Sequence, residues 1–466
     1  MSKSIILSTL LVIALAASAA PAQLLGGGAL GGLGGGNSPI GGTLSGVGGA
    51  VDRSLGELGS LGALGQTFGL SASEVQQATR PSLDRVSQAT NIASAEPVQL
   101  VNLRAIRLAQ LIRANRATLD RDGEGQPVRK NELIAIDPDP ASLAIAQRAD
   151  FRVLVDQQTP ELGLRVVTLA VPRGMNVRDA LKTLRKTAPA LDADFNHVFE
   201  PAGAALLPAA GAALATTSLA LLAAPAFRPG TRIAMIDGGV ASHPALARAT
   251  IEQRGFAGAA QPTGHGTAVG SLLVGEQGAF HGAARGAMLF VGDVYGGNAA
   301  AGSATTIIRA LAWAATKQPA VINISLVGPA NAALARAIAA LRERGIAVVA
   351  AVGNDGPAAP PQFPASYPGV IAVTGVDAGD RALREAGRAT HVDFAAPGAD
   401  LVAASPGKGY AVVRGTSFAA PLVAARLAAV GTAQRLTAEV DPGKGRVGQG
   451  IICKSCRIAP KTVGLK

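Results

Sequence analysis

Five histidines occur in the 466 residues: His197, His243, His265, His281 and His391. Only His265 stands between glycines, in Thr263-Gly264-His265-Gly266-Thr267-Ala268. Glycine on both sides lets backbone or ligand come close to an imidazole. A lone histidine is ordinarily a satisfied structural residue, so its partners decide its role. Asp237 closes an apolar run in Ile236-Asp237-Gly238-Gly239-Val240. An acid at a strand's carboxyl end is well placed to orient an imidazole. Ser417 lies in Arg414-Gly415-Thr416-Ser417-Phe418-Ala419-Ala420-Pro421. That is a small-residue loop running into a helix, whose first backbone N–H groups are free to donate. Alone, the acid reads as a turn residue and the serine as an N-cap. Together the three supply an orienting carboxylate, a general base and a nucleophile.

The elements around them must bring these residues together. From about residue 227 the chain alternates strand and helix. Short β-branched or aliphatic runs at 232–237, 287–291, 321–325, 347–352 and 370–376 read as strands, with helices near 303–317 and 331–344. That alternation implies an α/β fold with a doubly wound, mostly parallel sheet, whose sites lie at the carboxyl ends of its strands.

In chain order the residues run Asp237, His265, Ser417, 28 and 152 positions apart. This is the order of subtilisin, not of chymotrypsin or the α/β-hydrolases. The motifs resemble those of the subtilisin-like serine proteases over residues 228–452. The resemblance implies a serine endopeptidase in which Ser417 attacks, His265 moves the proton and Asp237 holds the imidazole. Val352-Gly353-Asn354-Asp355-Gly356 is similar to the family's oxyanion segment, which makes Asn354 and the Ser417 N–H the implied donors. Val321-Ile322-Asn323-Ile324-Ser325-Leu326 resembles the family's substrate-pairing edge. Ser325, Leu326, Val327, Gly353 and Gln362 are then the implied substrate-binding residues.

Three departures stand out. Val327 replaces a glycine, and Gln362 falls where the primary pocket often has a small floor residue. Both suggest small or medium residues before the scissile bond. Gly238 replaces a Ser or Thr, which removes one hydrogen bond to the carboxylate. No cofactor is expected. Family members often bind calcium, but no ligands can be placed here. A competing reading keeps the fold but assigns it an anchoring role with little turnover.

The remaining segments suggest how the enzyme is made. Residues 1–22 read as a secretory signal and imply an exported, periplasmic or extracellular protein. Residues 23–70 read as a glycine-rich tether, with 17 glycines in 26–66. Residues 71–130 form a basic helical segment. Its arginines, Arg104, Arg107, Arg113, Arg116 and Arg121, read as the solvated face of a helix over 99–121. Residues 131–200 read as β-α-β-β-α-β, the ferredoxin-like α+β pattern, and resemble a divergent form of the family's propeptide. Residues 201–227 read as an uncharged, alanine-rich linker, with self-cleavage expected between Ala202 and Phe227. The peptidase domain occupies 228–440, and the tail is 441–466. The expected partners are protein or peptide substrates and the chain's own N-terminal domain.

Composition excludes other classes. With 48% hydrophobic residues the chain can build a core and is not disordered as a whole. The net charge is +11, but no basic run carries interleaved aromatics, so nucleic acid is not an expected partner. Membrane contact is not expected either. Cys453 and Cys456 are the only cysteines. In an exported chain they imply a local disulfide and exclude a four-cysteine metal site.

Overall fold

The computed structural model describes residues 97–202, 207–208, 227, 230–407 and 409–465. The expected signal, the tether and most of the alanine-rich linker lie outside these residues. The chain begins with α1 (Pro97–Ala114) and a hairpin of β1 (Leu119–Arg121) and β2 (Pro127–Ile136). Next come α2 (Pro140–Arg148), β3 (Arg152–Thr159), β4 (Leu164–Ala170), α3 (Val177–Thr187) and β5 (Ala193–His197). Asp139 starts α2 by accepting from the Ser142 N–H, and Asn176 caps α3 in the same way. The β-α-β-β-α-β sheet has the order β5-β2-β4-β3, with β1 beside β2. Its core includes Leu133, Phe151, Leu169, Leu181 and Leu184.

The helix expected over 99–121 with a solvated charged face needs correction. It ends at Ala114, and its buried positions are Leu100, Arg104 and Leu108. Ile106 is 54% exposed, whereas Arg104 is 8% exposed. The face turned to the protein runs i, i+4, i+8 through an arginine, so a pattern that counts only apolar residues selects the wrong stripe.

After β6 (Glu200–Pro201) and β7 (Leu207–Pro208) the α/β part begins. Its strands are β8 (Arg232–Asp237), β9 (Thr250–Gly255), β12 (Met288–Asp293), β13 (Val321–Ile324), β15 (Ala347–Ala351), β16 (Ile371–Val376) and β17 (Phe394–Pro397). They form one parallel sheet in the order β17-β16-β15-β13-β8-β12-β9. Small hairpins add β10 (Glu276–Gln277) with β11 (Phe280–His281), and β18 (Leu401–Ser405) with β19 (Gly409–Val413). The short β14 (Leu326–Val327) leaves the sheet just beyond β13.

Alternation along the strands explains the layers. Ile233 and Met235 of β8 face one side, with α4 (Gly264–Val274) and α7 (Thr416–Val430). Ala234 and Ile236 face the other, with α5 (Ala304–Thr316) and α6 (Ala332–Glu343). A parallel sheet covered on both faces needs such continuously apolar strands. The polar β9 lacks that texture, and the apolar β17 is only four residues long, so neither stands out in the sequence.

Residues beyond α8 (Ala433–Leu436) belong to the same packing. Ile452 is buried with α7, and Ile451 with Val376 and Ala395. The Ala395 N–H donates to Gly450 O, and the Ile452 N–H to Ala395 O. Arg457 donates to the carbonyls of Ala399 and Asp377. Cys453 and Cys456 are joined by a disulfide.

Candidate active site

The carboxyl ends of the central strands carry the chemistry. Asp237 ends β8 and is fully buried. It accepts from the Gly238 N–H at 2.7 Å, so the backbone gives a hydrogen bond where the sequence leaves none to a side chain. A Cβ at 238 would lie 2.3 Å from Thr263 Oγ1. The space of the missing side chain is thus filled by the residue that caps α4. Thr263 Oγ1 accepts from the Gly266 N–H at 2.9 Å and starts the helix one residue before Gly264 and His265. At Gly266 a Cβ would sit 2.2 Å from the Gly238 carbonyl oxygen. Glycine there allows the helix start to reach the end of β8. His265 Nδ1 then lies 2.9 Å from both Asp237 carboxylate oxygens.

Ser417 is the second residue of α7 and is buried. The ring of the next residue, Phe418, lies 5.4 Å from that of His265. His265 Nε2 and Ser417 Oγ are both buried, and neither has a hydrogen-bond partner among the described residues. Three polar contacts fix the Ser417 loop. Ser325 Oγ donates to Ser417 O at 3.0 Å, Asn354 Oδ1 accepts from the Thr416 N–H at 3.0 Å, and the Gly353 N–H donates to Thr416 Oγ1 at 3.2 Å. Asn323 Nδ2 donates to Ser325 Oγ at 3.0 Å and extends this chain to β13. Arg414 and the buried Glu385 form an ion pair behind the loop, with Nη2 to Oε2 at 3.0 Å. The Glu385 carbonyl accepts from the Gly356 N–H. One residue therefore ties the serine loop to the asparagine loop.

The cleft is occupied by the chain itself. β6 pairs antiparallel with β14, Leu326 opposite Pro201 and Val327 opposite Glu200. The Ala202 N–H donates to Ser325 O at 2.9 Å, and Asn354 Nδ2 donates to the Ala202 carbonyl oxygen. Gly353 has φ +92°, a backbone open to glycine, and a Cβ there would lie 3.2 Å from Gln362 Cγ and 3.3 Å from Val327 Cγ1. These two side chains crowd the cleft beside Gly353. Ala202 is 2% exposed and shares an apolar cluster with Val327. Gln362 is buried, and its Nε2 donates to Pro360 O. Three residues before Ala202, Phe199 is fully buried, against Gly328 and below the Tyr295 hydroxyl, which donates to its carbonyl at 3.1 Å. Burial, and then the charges of Asp237, Glu200 and Asp293, push the Tyr295 phenol well above its usual value. It therefore stays a donor.

A Subtilase family model matches residues 228–439. Subtilisin Savinase of Lederbergia lenta is 33% identical over 211 residues, covering 43% of this chain and 76% of that protein. The chain belongs to the subtilase family. An alkaline protease of Alkalihalobacillus alcalophilus is also 33% identical over 211 residues, and the match spans 54% of its length. Fervidolysin from Fervidobacterium pennivorans, a keratinolytic enzyme related to subtilisin, has a solved structure with a TM-score of 0.57. That match has 19% identity and covers 73% of this chain and 62% of that one. It shows the subtilisin-like fold. As a subtilase the chain is a serine endopeptidase.

Asp237, His265, Ser417, Asn354, Ser325, Leu326, Val327, Gly353 and Gln362 thus gather around one cleft. Cys453 and Cys456 lie in the C-terminal segment. No group of three or more potential metal-ligating side chains occurs among the described residues. Sequence reasoning missed the segment Phe199–Ala202 and the partners of Asp355. Their only signal is position, between the last expected strand and the linker, and just after Asn354.

Proposed function

We propose that the chain is an exported serine endopeptidase that cuts its own Ala202–Gly203 bond with Asp237, His265 and Ser417. The observation that carries this reading is the Asn354 amide donating to the Ala202 carbonyl while the Ala202 N–H bonds to Ser325. A carbonyl held this way is polarised by a donor aimed at its oxygen. Ser417 Oγ attacks the carbonyl carbon as its proton passes to His265 Nε2. The Asp237 carboxylate accepts from Nδ1 and stabilises the imidazolium. The oxyanion is received by Asn354 Nδ2 and the Ser417 N–H. Collapse breaks the C–N bond, and the proton on Nε2 goes to the departing Gly203 amine. Water, deprotonated by His265, then releases Ala202 as a carboxylate and returns Ser417. The 131–200 domain acts as the propeptide. Export rests on the charged, apolar and small-residue pattern of residues 1–22.

The same cleft reads substrates in trans as an added strand. A small residue before the cut and a large apolar one three positions earlier fit the occupants Ala202 and Phe199. The test combines a serine-directed phosphonate with sequencing. The probe labels Ser417, the larger product begins at Gly203, and the Ser417→Ala chain stays intact. Processing of Ser417→Ala in the absence of other proteases, or a product beginning before Pro201, refutes the assignment.

A further inference from the structure

The basic helix ahead of the α+β domain has a use that propeptide packing alone does not require. Arg104 Nε lies 2.9 Å from Asp355 Oδ2, off the line of a hydrogen bond, and its Nη2 donates to Gln126 Oε1 at 2.7 Å. Arg107 Nη2 donates to Asp355 Oδ1 at 2.9 Å and lies 3.3 Å from Glu200 Oε2. Leu100, 2% exposed, covers Gly356, where a Cβ would sit 2.8 Å from its Cδ1. Asp355 is 5% exposed and follows the oxyanion donor Asn354. Glu200 is two residues from the scissile carbonyl. One helix therefore grips both the rim of the cleft and the strand lying in it. Burial opposes the charge on Arg107, but Glu200 and Asp355 outweigh it and hold the guanidinium above its ordinary value.

We propose that α1 is a latch, and that the Asp355–Gly356 rim is its docking surface. On this view, which rests on self-cleavage at Ala202, cutting the bond does not free the enzyme. The fragment ending at Ala202 stays seated until α1 lets go of Asp355. Lifting α1 away would strip Asp355 of both its cations. The exposed ion pairs of Arg336 with Asp137 and Asp192 hold the same fragment but count for little in water. Asp194 and Phe195, which bond to Asn331 and Ala332, hold it without touching the asparagine loop. Ala202 itself touches Asn354, and α1 adds a second hold on the same loop through Asp355 and Gly356.

The test uses the full chain and reads two signals from one sample. Gel electrophoresis follows the cut, and a Phe-Glu-Pro-Ala anilide reports free active sites. In the wild type the cut precedes activity by a lag, and the fragment co-elutes with the enzyme on gel filtration. Arg104→Gln/Arg107→Gln leaves the rate of cutting and the final activity unchanged but shortens the lag. The expected factor is about tenfold, the worth of the one charged hydrogen bond that Arg107 gives Asp355. Arg107→Ala alone, at a half-exposed position where folding is not at stake, shifts the lag the same way by less. Cutting with an unaltered lag in both variants, or wild-type activity that rises in step with the cut, overturns the latch. Absence of any cut overturns the self-cleavage reading and the latch with it.

Discussion

Ala202→Phe tests the cleft most directly, because the walls around residue 202 are fixed by named atoms. Ala202 is 2% exposed and shares its apolar cluster with Val327. A single added carbon at Gly353 would already lie 3.2 Å from Gln362 and 3.3 Å from Val327. An aromatic ring at 202 would press on these side chains. Either the side chains shift or residue 202 leaves its hydrogen bonds with Ser325 and Asn354. Overpacking a filled site costs ~1–3 kcal/mol. At 1.36 kcal/mol per factor of ten, self-cleavage should slow by about 5- to 150-fold. The assay is the time course of the N-terminal fragment on a denaturing gel, with total chain as the internal standard. Val327→Gly in the same chain removes one wall and should recover part of the loss. Cleavage of Ala202→Phe at the wild-type rate would show that Val327 and Gln362 do not limit the pocket, and the argument from their positions fails.

Asn354→Ala should lower kcat on a peptide substrate by ~10²–10³-fold with little change in KM, a range set by a subtilisin. An unchanged kcat removes Asn354 from the oxyanion site. Arg414→Leu strands the Glu385 carboxylate, 1% exposed, while Arg414 itself is 32% exposed. The expected loss is about 3 kcal/mol, at the low end for breaking a buried pair. Urea unfolding in a Ser417→Ala background measures it, and an unmoved midpoint refutes it.

The residues around Asp237, His265, Ser417 and Asn354 were legible because each sits in a short string whose glycines and small residues serve local geometry. Gly266 must pass the Gly238 carbonyl, and Gly353 must adopt φ +92°. The central strands were legible because burial on both faces demands unbroken apolar runs. What escaped depends on contacts distant in sequence. Arg104 reads as a surface charge until a carboxylate 251 positions later is folded against it. Phe199–Ala202 has no motif of its own, and its place in the cleft is set by β14. Strand β9, Thr-Ile-Glu-Gln-Arg-Gly, is mostly exposed and lacks the texture of its neighbours.

The C-terminal segment has a consequence for association between molecules. β17 is the last strand of the parallel sheet, and its outer side would present unpaired N–H and C=O groups. Such a margin is a template for strands of other chains. Here the bonds from Ala395 to Gly450 and from Ile452 to Ala395 consume it, and the disulfide and the Arg457 contacts pin the segment nearby. The opposite margin, β9, is guarded by charge instead, through Glu252 and Arg254. The family match stops at residue 439. A chain cut there would keep Asp237, His265 and Ser417 and lose the cover of its sheet, leaving a margin primed to add strands from its neighbours.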